Sequence, residues 1–339
     1  MQAPDFWMRP RPGVAARLLQ PFAALYGALA RRRLAGPATR AGAPVICLGN
    51  FTLGGAGKTP AALALGARLA ARGERVAFLS RGYRGALSGL EPVRVDPERH
   101  DAAAVGDEPL LLARLAPTFI CADRLAGARA AIAAGASVVV MDDGLQNPAL
   151  AKDLSILVVD SGVGFGNGLT LPAGPLRAPL AAQWPLVDAV LAIGEGAAGA
   201  AILAEAAARG LPTLSARMTP DPAAVAALRG APLLAFAGIA RPQKFFDTLA
   251  AAGLEIGATA TFPDHHAYAL GEIESLARRA AQEGLRLVTS EKDLMRLSPA
   301  ARAAGAAAGL TALPATLDFF AGDLDALLAR ALASGAAGG

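Results

Sequence analysis

Lys58 and Thr59 stand at the end of a glycine-rich stretch, GNFTLGGAGKTP (49–60), that follows directly on the apolar run PVICL (44–48). A strand that feeds a tight turn and then a helix aims successive backbone N–H groups at phosphate oxygens. Thr52, Leu53, Gly54, Gly55, Ala56 and Gly57 have the sizes for such a turn, and the three glycines permit close approach of backbone to an anion. Lys58 would neutralise the β- and γ-phosphates of a nucleotide, and the Thr59 hydroxyl would ligate Mg²⁺. Pro60 is acceptable in a first helical turn. The usual spacing G-x-x-x-x-G-K-T puts a glycine at position 52, where Thr52 stands. A purely structural glycine-rich turn therefore stays open on pattern alone.

A second run, ASVVVMDDGLQ (136–146), is an apolar strand closing on Asp142 and Asp143. That is the form expected of a carboxylate holding Mg²⁺ directly or through water, and also of a helix cap. With Lys58 and Thr59 upstream, the metal reading is preferred. The N-K-x-D loop that reads guanine is missing, since in TSEKD (289–293) Lys292 directly precedes Asp293. ATP is the expected nucleotide.

Four further clusters carry polar chemistry. SRGYRG (80–85) puts Arg81, Tyr83 and Arg84 just after a strand, where open α/β sheets bind ligands. GDEP (106–109) sets Asp107 and Glu108 ahead of a helix, LPAGPLR (171–177) ends on Arg177, and FPDHHAY (262–268) holds Asp264, His265 and His266. Read singly, Asp107 could cap its helix, the histidines could form a surface turn, and the arginines could be solvated. No Cys/His set completes a zinc site.

These clusters need a scaffold, and the chain supplies one. Its 339 residues, 54% hydrophobic and 18% charged, suffice for two domains and a sizeable core. The net charge of +4 argues only weakly for an anionic partner; no nucleic acid is expected, and no protein partner is inferable. Cys47 and Cys121 lie in apolar runs and read as buried structural thiols. From Pro44, short apolar strands alternate with helical stretches, the pattern of a parallel sheet covered on both faces. The expected fold is α/β, with a P-loop NTPase-like domain over 41–216 and a smaller α/β domain over 217–332. Residues 333–339 are expected to be a disordered tail.

The first 40 residues differ. They hold seven arginines against one acid, Asp5, and Val14, Leu18, Leu19, Phe22, Leu25, Tyr26 and Leu29 recur at helical spacing, with Pro21 expected to kink or divide the helix. Such a basic amphipathic segment, with Phe6 and Trp7 upstream, suits a membrane interface; a helix packed on the domain is the alternative. No run reaches the ~20 apolar residues of a spanning helix.

Taken in order, GNFTLGGAGKTP, SRGYRG, GDEP, DDGLQ, LPAGPLR, FPDHHAY and TSEKD resemble the tetraacyldisaccharide 4′-kinase family of the lipid A pathway. The resemblance spans nearly the whole chain, and in that family threonine at position 52 of this loop is normal. It implies ATP-dependent phosphorylation of the 4′-hydroxyl of a tetraacylated glucosamine disaccharide 1-phosphate, giving lipid IVA. It also implies peripheral association with the cytoplasmic face of the bacterial inner membrane. By the same resemblance Asp107 is the general base and His265 its partner from the second domain. Lys58, Thr59, Asp142 and Asp143 match phosphate and metal positions, and Arg177 and Gln146 match further active-site positions. Arg81 and Arg84, with Tyr83 between them, are candidates for binding the acceptor and its 1-phosphate. Two positions depart from the family: Asn147 where histidine is usual, and Ala178 where an acid is common. The rival readings are a P-loop kinase or ligase acting on a soluble metabolite, fully active without membrane or detergent, and a nucleotide-switched binding module.

Overall fold

Short runs of β-branched and other apolar residues make the central strands, which are buried along their whole length. The computed structural model describes residues 4–9 and 11–336 of the chain. The first eight strands are β1 (Val45–Gly49), β2 (Val76–Ser80), β3 (Val93–Arg94), β4 (Thr118–Ile120), β5 (Val138–Asp142), β6 (Leu154–Asp160), β7 (Ala189–Ile193) and β8 (Thr213–Pro220). Then follow β9 (Leu233–Ala237), β10 (Ile256–Thr261), β11 (Arg286–Ser290), β12 (Thr311–Leu313) and β13 (Ala315–Ala321).

Nine strands form one sheet in the order β13-β8-β7-β6-β1-β5-β2-β4-β3. It is parallel except at its edges, where β3 and β13 run antiparallel to β4 and β8. Helices Lys58–Ala71 and Leu324–Ala336 cover one face through Leu65, Leu69, Leu327 and Leu328. Arg124–Ala133 and Ala197–Ala208 cover the other through Ala128, Ala131, Ile202 and Ala206. A second sheet, β10-β9-β11-β12, is wholly parallel and makes a smaller lobe with its own helices. The α/β class and its P-loop-type sheet thus stand as expected.

The boundary of the smaller lobe does not. Its sheet ends at Leu313, after which β13 pairs with β8 and the last helix lays Leu324, Leu327, Leu328 and Ala331 into the core of the large sheet. The smaller lobe is therefore an insertion, not a terminal domain reaching residue 332, because the large sheet needs that helix to cover its β1–β6 face. The helix runs through Ala336, so 333–336 are ordered, while residues 337–339 of the expected tail lie outside the described residues.

Near the N-terminus, Val14–Leu34 is one helix that runs through Pro21 undivided. Its buried positions are small, Ala16, Ala23 and Gly27. Its large apolar side chains face outward: Val14, Leu18, Phe22, Leu25 and Leu29 are each more than 60% exposed.

Candidate active site

The site lies at the carboxyl ends of β1, β2 and β5, the edge at which parallel α/β sheets hold ligands. β1 delivers the loop 50–57, and the helix Lys58–Ala71 starts on its last glycine. Gly57 takes φ 89° and approaches Ile193 so closely that a Cβ would sit 2.6 Å from its Cδ1. Asn50, nearly fully buried, braces the loop: its amide donates to the Gly54 carbonyl (3.3 Å), and its Oδ1 accepts from Lys58 Nζ (3.2 Å).

β5 delivers the two acids, and the structure gives them different partners. Asp142 Oδ2 accepts from the Thr59 hydroxyl at 3.0 Å, whereas the buried Oδ1 has no partner among the described residues. Burial, with repulsion from Glu108, pushes the Asp142 carboxyl up to about 7. Asp143 is clamped by Arg177, whose Nη1 and Nη2 donate to its two oxygens at 2.9 Å each, and Lys58 lies 3.8 Å away. Burial opposes ionisation there, but Lys58 and Arg177 outweigh it and hold Asp143 at about 2. Arg177 also donates to the Thr52 carbonyl (3.0 Å) and to Gln146 Oε1 (3.4 Å), and Gln146 in turn donates to the Asn50 carbonyl (2.7 Å). Arg177 and Gln146 thereby tie acid and loop together.

The two positions that depart from the family are satisfied locally. Asn147 Oδ1 accepts from the Ala149 amide (3.1 Å), and the Ala178 carbonyl accepts from the buried Gln183 (2.7 Å).

Asp107 opens a helix, Asp107–Ala113, after Gly106 (φ 92°), where a Cβ would meet the Tyr83 carbonyl at 2.9 Å. Although Asp107 belongs to the large lobe, its Oδ2 faces three groups of the smaller one. Arg296 Nε and Nη2 lie at 2.6 Å, His265 Nδ1 at 3.4 Å and Lys292 Nζ at 4.0 Å. Burial favours the neutral acid at Asp107. The hydrogen bond from His265 and the charges of Lys292 and Arg296 outweigh it, holding the carboxyl well below the usual range. Lys292 also pairs with Glu108 (2.7 Å). Arg296 is fixed from behind by Asp293 (2.9 Å), which is fully buried and also accepts from Tyr268 (3.0 Å) and the Gly238 amide (3.1 Å).

Among the described residues, the non-glycine residues with positive φ are Arg84, Asp143 and His265. A bulky residue in this region costs on the order of 1–3 kcal/mol and persists where surrounding structure enforces it. All three fall in the clusters singled out from the sequence. Tyr83 sets its ring edge to face against His265 (6.1 Å between centroids), and Arg84 lies over the Tyr83 ring at 5.7 Å. Arg81, Tyr83 and Arg84 are all exposed. His266, by contrast, turns away to pair with Glu272 (2.9 Å).

Several residues of this region carry no sequence signal that singles them out. Arg296 lies three residues beyond Asp293, at helical spacing, and only that spacing hints at it. Arg124, 4% exposed, donates to the Cys121 carbonyl while its Nε has no partner among the described residues, and its charge acts on both Asp143 and Arg81. A second bridge between lobes joins Asp160, at the end of β6, to Arg241 and Lys244, and Arg241 also donates to the Gly55 carbonyl (3.3 Å). Among the described residues no cluster of three His, Cys, Asp or Glu side chains could hold a metal.

The family model described as tetraacyldisaccharide-1-P 4′-kinase matches residues 15–333. A protein of Methylobacterium sp. (strain 4-46), named tetraacyldisaccharide 4′-kinase, is 61% identical over 340 residues, covering all of both chains. One of the same name from Rhodopseudomonas palustris (strain BisA53) is 52% identical over 94% of this chain and 92% of its own. A crystal structure of LpxK from Aquifex aeolicus, an "apo" form in complex with ATP, superposes with a TM-score of 0.71 at 24% identity, over 94% of this chain and 99% of that one. At that identity the superposition speaks for the fold.

Proposed function

The chain belongs to the tetraacyldisaccharide-1-P 4′-kinase family, and from that premise we propose how its two lobes carry out the reaction. The chain is a kinase with an alcohol acceptor in lipid A biosynthesis, transferring phosphate to the 4′-hydroxyl of a tetraacylated glucosamine disaccharide 1-phosphate to give lipid IVA. ATP is the donor, held by residues 52–59, with Lys58 against its terminal phosphates. The observation that carries this reading is the meeting, on one sheet edge, of a phosphate loop with an acid held by the other lobe.

Phosphoryl transfer has a loose transition state, so positioning and charge neutralisation supply most of the catalysis. Asp107, ionised at neutral pH, orients the 4′-hydroxyl and takes its proton as the bond to the γ-phosphorus forms and that to the bridging oxygen breaks, releasing ADP. His265 and Arg296 hold that carboxylate. Arg177 and Gln146 fix Asp143 and the loop, while Arg81, Tyr83 and Arg84 receive the acceptor and its 1-phosphate.

Mg²⁺ fits the donor set of Thr59 and Asp142, since this ion is held by one or two carboxylates together with substrate phosphates. Among the described residues Asp142 Oδ1 is a buried oxygen without a partner, whereas Arg177 occupies both oxygens of Asp143; Asp142 would thus be the direct ligand. When bound, the ion would neutralise charge between the β- and γ-phosphates. Because the metal takes the ionised carboxylate, its binding should release protons below about pH 7, and Mg²⁺–ATP affinity should climb toward that pH and then level off. Without metal, stability should fall as pH rises from the ordinary carboxylate range to about 7, where the buried Asp142 must ionise. Calorimetric titration in buffers of different ionisation enthalpy checks this; equal proton release from Asp142→Asn would contradict it.

Peripheral attachment to the cytoplasmic face of the inner membrane is supported by the outward apolar stripe of Val14–Leu34 and by Arg31, Arg32 and Arg33 at its end. No described helix is long and apolar enough to cross a membrane. Phe22→Ser should reduce partitioning onto anionic vesicles roughly tenfold and leave ATP affinity unchanged. Wild-type partitioning of this variant would remove the stripe from membrane binding. Mass spectrometry and phosphorus NMR of the lipid product test the reaction itself. A new phosphomonoester coupled to the 4′ proton is expected, and phosphorylation at any other hydroxyl would overturn the assignment.

A further inference from the structure

We propose that Trp7 and Asn167 are positioning residues for the phosphate site, acting through Arg177. This rests on the reading of Arg177 as the residue that fixes Asp143 and the phosphate loop.

Residues 161–178 connect β6 to the short helix Leu180–Gln183 without a named helix or strand. Connections of that length are held by specific stays or are mobile. Here the stay comes from the far N-terminus. The turn Asp5–Trp7 crosses the loop: the Asn167 amide donates to the Trp7 carbonyl (2.7 Å), and Trp7 Nε1 donates to the Pro172 carbonyl (3.0 Å). Asn167, 9% exposed, also joins both sides through its side chain, donating to Phe6 O (3.3 Å) and Ala173 O (2.9 Å). Gly166 takes φ 58°, and a Cβ there would stand 2.4 Å from the Trp7 carbonyl, so the crossing fits only over glycine.

The strapped segment runs directly into the phosphate site. The Leu171 amide donates to Leu176 O (3.0 Å), that of Leu53 to Pro175 O (2.8 Å), and that of Arg177 to Phe51 O (2.8 Å). Arg177 then reaches Asp143 and the Thr52 carbonyl. A paired guanidinium works only when held within about 0.5 Å of its geometry. The backbone just before Arg177 is what Trp7 and Asn167 immobilise. The turn that does so also leads into Val14–Leu34, so the same strap links the outward-facing helix to the nucleotide end of the site.

The test is a double-mutant cycle on the full chain, using Trp7→Phe, Asn167→Ala, Arg177→Ala and both pairings with Arg177→Ala. The readouts are affinity for a non-hydrolysable ATP analogue with Mg²⁺ in the absence of lipid, kcat in mixed micelles, and vesicle partitioning, with folding checked by circular dichroism. Trp7→Phe keeps an aromatic ring while losing the N–H donor and part of the indole's bulk, and Asn167→Ala probes the other side of the strap. Each single change should weaken lipid-free analogue binding and lower kcat about fivefold. Trp7→Phe acts through the one hydrogen bond it removes, and Asn167→Ala through its three, with Phe6 O, Ala173 O and the Leu169 amide. Partitioning of Asn167→Ala should match wild type. Neither change should reduce affinity further once Arg177 is alanine. Losses that multiply with that of Arg177→Ala, or wild-type analogue affinity in both single variants, would overturn the proposal. A harmless Arg177→Ala would instead refute the reading of Arg177, and the proposal with it.

Discussion

Asp107→Asn should lower turnover about 10³-fold while changing ATP affinity by no more than about twofold, as expected for loss of a group that acts on the acceptor's proton. The carboxamide keeps the shape of the side chain, so the helix start at Gly106 and Asp107 is preserved. It removes the one charge toward which Arg296, Lys292 and His265 all converge. Arg296 keeps Asp293 and the Gly238 carbonyl, so the variant should fold. The pH dependence of stability provides a second reading. Because the carboxyl is held below its ordinary range, its stabilisation is complete above that range and is lost as pH falls toward its value in the folded protein. Asp107→Asn should flatten this acid limb. Turnover within about tenfold of wild type, in a folded variant, would take Asp107 out of the chemistry.

Arg296→Met should be the more damaging change to the protein itself, destabilising it by about 3–5 kcal/mol, the range seen when one member of a buried ion pair is removed. Arg296 is 7% exposed and bridges Asp107 of the large lobe to Asp293 and Gly238 of the smaller one. Without it Asp107 keeps only Lys292 and His265, and the fully buried Asp293 loses its guanidinium partner. Turnover should fall at least about 10²-fold, because Asp107 is no longer held. Arg296→Lys keeps the charge but lacks the planar fork that spans three acceptors, so it should recover stability only in part. Urea unfolding with parallel turnover measurements checks both. Wild-type stability for Arg296→Met would mean that this network does not join the lobes.

The loops GNFTLGGAGKTP, SRGYRG, DDGLQ, FPDHHAY and TSEKD were legible because each follows an apolar run that forms a strand, whereas GDEP and LPAGPLR were marked only by their glycine, proline and charged residues. Arg296 was not legible, since its partner Asp107 lies 189 residues away and no local pattern reports such a pairing. The return of β13 and the last helix to the large sheet was equally hidden. Their amphipathic pattern says that a face is buried, without saying against which core. In Val14–Leu34 the helical period was readable and the packing face was not: Ala16, Ala23 and Gly27 face the protein while the bulky residues face out, the reverse of an ordinary surface helix. Trp7, grouped in the sequence with the membrane-seeking residues, instead donates a hydrogen bond to Pro172. Thr52 breaks the usual glycine spacing, and its backbone does not take the positive φ that would call for glycine. Its carbonyl accepts from Arg177, and Leu53 and Arg177 pair with the neighbouring loop through their amides.

The most direct test of the whole account is transfer of label from [γ-³²P]ATP to a tetraacyl disaccharide 1-phosphate in mixed micelles, with wild-type and Lys58→Ala proteins side by side. Wild-type protein should place the label in the lipid, and Lys58→Ala, though folded, should leave nearly all of it in ATP. Label released by wild-type protein as inorganic phosphate, with none in the lipid, would contradict the account.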